Sequence, residues 1–153
     1  MKEIPLTQGQ VAKVDDEDYE WLTQWKWCAR WAKNTQSYYA IRNNHADNST
    51  ILMSREVMKT PSDMQCDHIH HNTLDNRKSE LRNCTQTQNA HNRKTNRNNT
   101  SGYKGVYKIS NTCWRARITI NSIKWGLGCF RTAKEAGAAF DNAAKTIRGA
   151  YAN

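Results

Sequence analysis

Short runs of alternating apolar and polar residues occupy the first 60 positions of the chain. Residues 3–14 predict one or two strands around a Gln-Gly turn. The acids at residues 15–18 predict the start of a helix, because negative side chains favour the positive end of the helix dipole. Tyr19, Leu22 and Trp25 follow at a spacing of three residues, which continues the helical pattern. Three further strands are predicted at residues 27–31, 38–42 and 50–53, with a polar turn at 43–49.

The last third of the chain predicts three strands and one helix. Thr132 and Glu135 form a capping box before an alanine-rich helical pattern, and Gly149 marks its end. The strands fall at residues 103–109, 113–120 and 124–130. Alternation in the middle strand puts Trp114, Ala116, Ile118 and Ile120 on one face, and Arg115, Arg117 and Thr119 on the other. We expect the helix to cover the first face and leave the basic face open.

The tryptophans at residues 21–31 allow two interpretations. They could stack on nucleobases, or they could form the core of a small α+β module. Four tryptophans within eleven residues favour the core. Including the last third, the fold class expected is α+β: a small N-terminal α+β module with a hairpin–helix core, then a three-stranded antiparallel sheet packed on one helix.

The chemistry concentrates in residues 66–94. Asp67 and His68 are adjacent, so they point to opposite faces of a regular strand, although twist at a hairpin end can turn both toward one cleft. Thr85 and Gln88 form a second capping box, which predicts a helix from Gln86 past Asn89. Carboxylate and amide oxygens suit Mg²⁺, and histidine titrates near neutral pH and can deprotonate water. This combination indicates a metal-assisted site.

The spaced pattern D-H-I-x-x-x-x-L-D-N-R-x-S-x-L-R-x-C-T-x-x-x-N, which begins at Asp67, resembles the ββα-metal core of HNH endonucleases of the phage and intron-homing type. The resemblance implies that His68 is the general base and that Asp67 and Asn89 bind one catalytic metal ion, Mg²⁺ or Mn²⁺. It also implies that the N-terminal module is a scaffold for the hairpin.

Four residues depart from the pattern of that family. Glu80 stands where an Asn usually precedes the Leu, His70 and His71 replace a frequent Asn-Gly turn, and Ser54 replaces a histidine. Glu80 either adds a carboxylate near the metal or weakens the loop that orients His68. For His70 and His71, exposure in the turn is favoured over metal ligation.

Charge is distributed unevenly along the 153 residues. Residues 1–60 balance eight Lys and Arg against eight Asp and Glu, whereas residues 99–153 carry nine against two, a net charge of +7. Such a basic segment points to a polyanionic partner, and a merely solvated basic surface is the alternative. Together with the nuclease resemblance, the partner expected is double-stranded DNA. The five cysteines lack C-x-x-C spacing, so no structural zinc is expected, and no signal peptide or membrane span is predicted. We therefore expect a soluble, cytoplasmic protein that is not secreted.

The basic segment carries a second resemblance. Its runs Y-K-G-V-Y, W-R-A-R-I and L-G-x-F-x-T-A-x-E-A-x-x-A-F-D-x-A-A, together with R-G-x-x-A-N, resemble the plant APETALA or ethylene-response-factor DNA-binding domain. In that family the three-stranded sheet lies in the major groove. The resemblance implies that the residues facing DNA are Lys104, Tyr107, Arg115, Arg117, Thr119 and Lys124.

These observations predict a metal-dependent DNA endonuclease with two domains. Residues 1–98 form the scaffold and nuclease core, and residues 99–153 form the DNA-binding domain, with a polar linker at 92–101 between them. The alternative is a catalytically degenerate protein of the same fold that only binds DNA. An RNA-binding basic protein is less favoured, because the patterned sheet does not suit single-strand stacking. The target sequence, nicking or double-strand cleavage, and the oligomeric state stay open.

Overall fold

The computed structural model describes residues 1–44, 46–92, 95 and 98–149. Its elements are short antiparallel sheets and helices, which confirms the α+β class. Two units are separable, Met1–Gln86 and Thr87–Asn153. The predicted domain boundary after Asn98 stays a prediction, and four residues of the predicted linker lie outside the described part of the chain.

The first unit begins with a strand pair and a helix. Strands β1 (Lys2–Pro5) and β2 (Val11–Val14) pair antiparallel around a 3-10 turn at Thr7–Gly9. Helix α1 (Asp16–Leu22) starts within the acidic run, as predicted. It ends at Leu22, so Trp25 lies beyond the helix that was expected to include it.

A three-stranded sheet follows, made of β3 (Cys28–Ala32), β4 (Ser37–Asn43) and β5 (Thr50–Leu52) in the order β3-β4-β5. The short helix α2 (Met53–Val57) comes next, where the sequence predicted the end of a strand. This helix buries Met53 and Val57, so packing rather than helical periodicity explains it.

The tryptophans are divided between core and surface. Trp27 is 2% exposed, and its indole N–H donates to the Leu22 carbonyl at 2.8 Å. Trp25 and Trp31 are exposed, so the core interpretation is wrong for these two. The buried core of the unit consists of Ile4, Ala12, Val14, Leu22, Trp27, Ala40, Met53, Val57 and Leu81.

The segment that resembles a nuclease core folds as a hairpin followed by a helix. Strand β6 (Gln65–His68) pairs antiparallel with β7 (Leu81–Cys84). Helix α3 (Gln86–Asn92) follows and begins at the predicted residue. Arg93 and Lys94, at the predicted end of the core, lie outside the described residues.

The second unit contains β8 (Val106–Ser110), β9 (Cys113–Ile120), β10 (Ile123–Phe130) and α4 (Ala133–Arg148). The sheet order is β10-β9-β8, and α4 packs on the face that carries Ala116 and Ile118, as the alternation predicted.

Both ends of α4 follow the sequence signals. The backbone N–H of Glu135 donates to the Thr132 hydroxyl at 3.2 Å, and the Glu135 carboxylate accepts from the Thr132 N–H at 3.3 Å. Gly149 ends the helix with a positive φ of 54°. Tyr103 lies before β8 rather than in it, and a Cβ on Gly137 would clash with its ring, so glycine is required at this approach.

No helix among the described residues is long and apolar enough to cross a membrane.

Candidate active site and nucleic-acid interface

The hairpin of β6 and β7 is anchored by buried apolar residues on its return strand. Leu81 and Cys84 are buried, and the register pairs His68 with Leu81 and Asp67 with Arg82. The loop between the strands closes at its base, where the Ile69 N–H donates to the Glu80 carbonyl at 2.9 Å. The loop therefore starts and ends at fixed points directly beside His68.

Strand β2 holds this loop from the other side. The Lys13 N–H donates to the Leu74 carbonyl at 2.8 Å, and the Asn76 N–H donates to the Lys13 carbonyl at 2.7 Å. The Thr73 hydroxyl also donates to the Tyr38 carbonyl of β4 at 2.5 Å. Backbone contacts of this kind give the N-terminal module a supporting role for the loop.

Asp67 is almost completely enclosed. It is 8% exposed, and Nε and Nη2 of Arg82 contact its Oδ2 at 2.9 and 2.8 Å. Direct pairing of the two residues on neighbouring strands produces this ion pair. A carboxylate offers about four lone-pair sites, so the Arg82 bonds do not use up its capacity to accept.

His68 is 7% exposed and packs edge-on against the ring of Tyr39, with centroids 6.2 Å apart and planes at 70°. Burial lowers its pKa below the ordinary value, because the charged imidazolium loses water. A hydrogen bond with Asn76 and the negative charges of Asp67, Asp75 and Glu80 oppose that effect on the pKa without cancelling it. The imidazole is therefore neutral at pH 7, the form that accepts a proton.

Asn76 orients the imidazole, and the sequence reasoning did not single it out. It is 1% exposed, and its side chain bonds both to His68 and, through Nδ2, to the Leu74 carbonyl at 3.3 Å. The bond to His68 favours the protonated ring and so raises the pKa of the imidazole. The L-D-N-R run was part of the quoted motif, but nothing local in it marks a buried amide.

The loop also contains two arginine–carboxylate contacts. Arg77 Nε and Nη2 donate to Asp75 at 2.8 and 2.6 Å, which lowers the pKa of that carboxyl. Glu80 contacts His70 Nδ1 at 2.7 Å, and Arg77 lies 3.9 Å from its other oxygen. Within the loop, Glu80 thus contacts His70 and Arg77.

The two turn histidines differ in exposure. The side chain of His70 is 73% exposed, whereas His71 is half-buried and has a positive φ of 61°. The His71 N–H donates to the His68 carbonyl at 3.1 Å. This hydrogen bond closes the turn, and the first residue of the turn is the candidate base His68.

Asn89 lies on α3, half-buried, in the second unit. Its assignment as a metal ligand stays a prediction. No three His, Cys, Asp or Glu side chains converge as a metal site within the described ranges. The donors expected from the sequence, one carboxylate and one amide oxygen, nevertheless suit a hard cation that keeps several waters.

The outer face of the second unit's sheet is basic. Arg115, Arg117, Thr119 and Lys124 are exposed, and the register places Tyr107 opposite Arg115 and Thr119 opposite Lys124. The guanidinium of Arg117 lies 5.2 Å from the centre of the Tyr107 ring. Five of the six predicted DNA-facing residues therefore share this face.

The sixth, Lys104, has a different environment. It is half-buried, and its ammonium donates to the His91 carbonyl at 3.2 Å. Burial, with a smaller effect from Arg148, lowers its pKa.

Two thiols that the sequence did not flag belong to the basic face: Cys129 pairs with Arg115, and Cys113 precedes Arg115 by two residues. Hydrogen bonding to Arg115 lowers the pKa of Cys129.

An Asp-His pair on an antiparallel hairpin, with a short helix after it, has the element order expected of a ββα nuclease core. The chain is 36% identical over 94 residues to a protein of Acanthamoeba polyphaga mimivirus whose name calls it an uncharacterized HNH endonuclease. The match covers 61% of this chain and 48% of that protein, so the chain spans about half the length of this relative. No protein-family model matches. The similarity supports an HNH-type nuclease, and it leaves the C-terminal resemblance unconfirmed.

The lowered pKa of His68 predicts a pH-dependent stability. The unfolded imidazole takes up a proton below about pH 6.5, whereas the folded one resists protonation until a lower pH. The free energy of unfolding should therefore fall as the pH drops from about 6.5 toward the folded pKa. Urea unfolding of wild type and His68→Gln across pH 5 to 8 measures this, and the variant should lose that part of the slope. A constant difference between the two proteins would contradict the buried neutral imidazole.

Proposed function

We propose that this protein is a metal-dependent DNA endonuclease that hydrolyses phosphodiester bonds, of the homing or nicking type. The observation that carries the proposal is His68, buried in its neutral form and oriented by Asn76 beside the Asp67 carboxylate. A general base must be deprotonated at the working pH and held in a fixed orientation. Both conditions are met on the hairpin that resembles HNH enzymes.

The chain's own residues supply the proton transfer. His68 takes a proton from a water molecule, and the charge on the imidazolium is stabilised by the Asn76 hydrogen bond and by the nearby carboxylates. Asp67 and Asn89 would hold the metal ion, Mg²⁺ or Mn²⁺, which supplies positive charge for the phosphoryl oxygens and the leaving 3′ oxygen when bound.

The basic face of the second unit supports duplex DNA as the substrate. Arg115, Arg117 and Lys124 are exposed on a three-stranded sheet, the kind of surface that can enter a major groove as a β-ribbon. We assign target selection to this face and cleavage to the hairpin of the first unit.

One observation favours a second candidate, a protein of this fold that binds DNA without cutting it. Arg82 already neutralises the Asp67 carboxylate that the metal ion needs. The replacements at Glu80 and Ser54 point in the same direction. In this case DNA binding would persist and cleavage would be absent with every divalent metal.

The cleavage test uses supercoiled plasmid with Mg²⁺ or Mn²⁺. We expect relaxed or linear product from the wild type, none with EDTA, and none from His68→Ala, because that variant has no base at the site. DNA affinity of His68→Ala, measured in EDTA, should match the wild type, since the basic face is unchanged. A His68→Ala protein that cuts at the wild-type rate would show that the base has been misassigned.

The Asn76 hydrogen bond predicts a shift in the pH–rate profile. Asn76→Ala removes a hydrogen bond that favours the protonated imidazole, so the acid limb should move to lower pH. The rate should fall roughly 10- to 100-fold, as for other partners that orient a catalytic group. Asn76→Asp adds negative charge beside the imidazole, so its acid limb should move to higher pH. Profiles that coincide for all three proteins, with normal thermal unfolding, would exclude this role.

The basic face predicts a strong salt dependence of DNA binding. Six phosphate contacts give a slope of about −5 in a plot of log affinity against log salt. Replacing both Arg115 and Arg117 by Ala should reduce its magnitude by about two. The matched control replaces Lys134 and Lys145, two exposed cations of α4, and should keep the wild-type slope. Equal losses in the two variants would mean that this face is not the binding surface.

A further inference from the structure

The arginines of the first unit differ in what they contact. Four of the five bind groups of the protein itself: carboxylates in three cases, and in the fourth the carbonyls of Met64, Thr60 and Pro61. These four are Arg42 with Glu56, Arg55 with the carbonyls, Arg77 with Asp75, and Arg82 with Asp67. The fifth, Arg30 on β3, is exposed and has no such partner among residues 1–44 and 46–86.

Arg30 lies on the sheet face that meets the candidate base. Its direct partner on β4 is Tyr39. Side chains of direct partners project from the same face, with Cβ atoms about 5 Å apart. The Tyr39 ring in turn contacts the His68 ring, with centroids 6.2 Å apart. Tyr39 therefore pairs with Arg30 in the sheet and contacts the imidazole with its ring.

The backbone around Arg30 is fixed on both strands. The Ala29 N–H donates to the Thr7 hydroxyl at 3.0 Å, and Gln8 Nε2 donates to the Ala29 carbonyl at 2.8 Å. On β4, the Tyr38 carbonyl accepts from Thr73 of the loop that follows His68. A hydrogen bond therefore joins the loop that follows His68 to the strand pair that carries Arg30. The fold sets the spacing between the two.

Charge around His68 creates the need for a cation. Asp67, Asp75 and Glu80 all act on the imidazole, and an anionic DNA strand would be repelled by them. Arg82 and Arg77 form ion pairs with these carboxylates. The net charge of each pair is close to zero, so neither pair attracts a phosphate strongly. A free guanidinium beside the site would meet that need.

We infer that Arg30 binds a phosphate of the DNA backbone as the strand passes His68. The inference rests on the proposed function. The fork of N–H donors in a guanidinium matches two phosphate oxygens at once, which fixes orientation as well as distance. The ligand is a phosphodiester of any sequence, since a backbone phosphate carries no base information. Arg30 is therefore a binding residue that sets the position of the scissile bond.

The experiment compares wild type, Arg30→Ala, Arg30→Lys and the control Lys26→Ala, which removes an exposed cation from the same unit. Duplex binding is measured in EDTA across a salt series, and plasmid cleavage is measured with Mg²⁺. Arg30→Ala should reduce the magnitude of the salt slope by about one for every DNA sequence, and it should lower kcat/KM about tenfold. Arg30→Lys should keep the slope and lose part of the rate, because an ammonium is a point charge. Lys26→Ala should match the wild type.

The two readouts separate this inference from the proposed function. A wild type that binds DNA but cuts none removes the endonuclease, and the salt slope of Arg30→Ala still decides whether Arg30 contacts a phosphate. A wild type that cuts, together with an unchanged slope for Arg30→Ala, overturns the contact alone. An equal loss in Lys26→Ala also overturns it, since the effect would then be one of general charge.

Discussion

The backbone of Lys13 connects the first strand pair to the loop that follows His68. Its N–H and carbonyl bond Leu74 and Asn76 at 2.8 and 2.7 Å. These bonds place the Asn76 backbone, and the Asn76 side chain then sets the orientation of the His68 ring. The site therefore depends on a backbone contact between residues more than 60 positions apart. Such a contact is insensitive to the side chain at position 13 and sensitive to the register of β1 and β2.

Electrostatic balance is the second constraint on the hairpin. Buried carboxylates are costly unless they are paired. The hairpin pairs Asp67 with Arg82 across its two strands, and its loop pairs Asp75 with Arg77. These pairs hold the loop in one conformation, but they also use the positive charge that an anionic substrate requires. Stability of the loop and attraction of the substrate thus compete for the same arginines.

Much of the second unit could be predicted from sequence because its signals are local. The alternation in β9 determines which face packs on α4, and the Thr132–Glu135 box determines where α4 begins. The start of α3 at Gln86 was equally local. In the candidate site, the positions of Asp67 and His68 on the first hairpin strand followed from the motif.

The parts that escaped prediction depend on contacts distant in sequence. The five-residue helix α2 is too short to show periodicity, and it forms where Met53 and Val57 can be buried. Asn76 looks like any loop asparagine until β2 encloses it. Trp25 was assigned to the core, but α1 ends before it, and it instead lies 4.5 Å from the guanidinium of Arg42 at the surface.

The Lys13 contact also limits how this site can be moved between proteins. Grafting residues 66–94 onto another scaffold would carry over the Asp-His pair and the arginine–carboxylate pairs, yet leave the carbonyl and amide partners of the loop behind. The portable segment therefore runs from Met1 through α3, and in chimeric proteins the first strand pair belongs with the hairpin. Recombination between related genes would accordingly preserve the site when it breaks the chain after α3 and lose it when it breaks between β2 and β6.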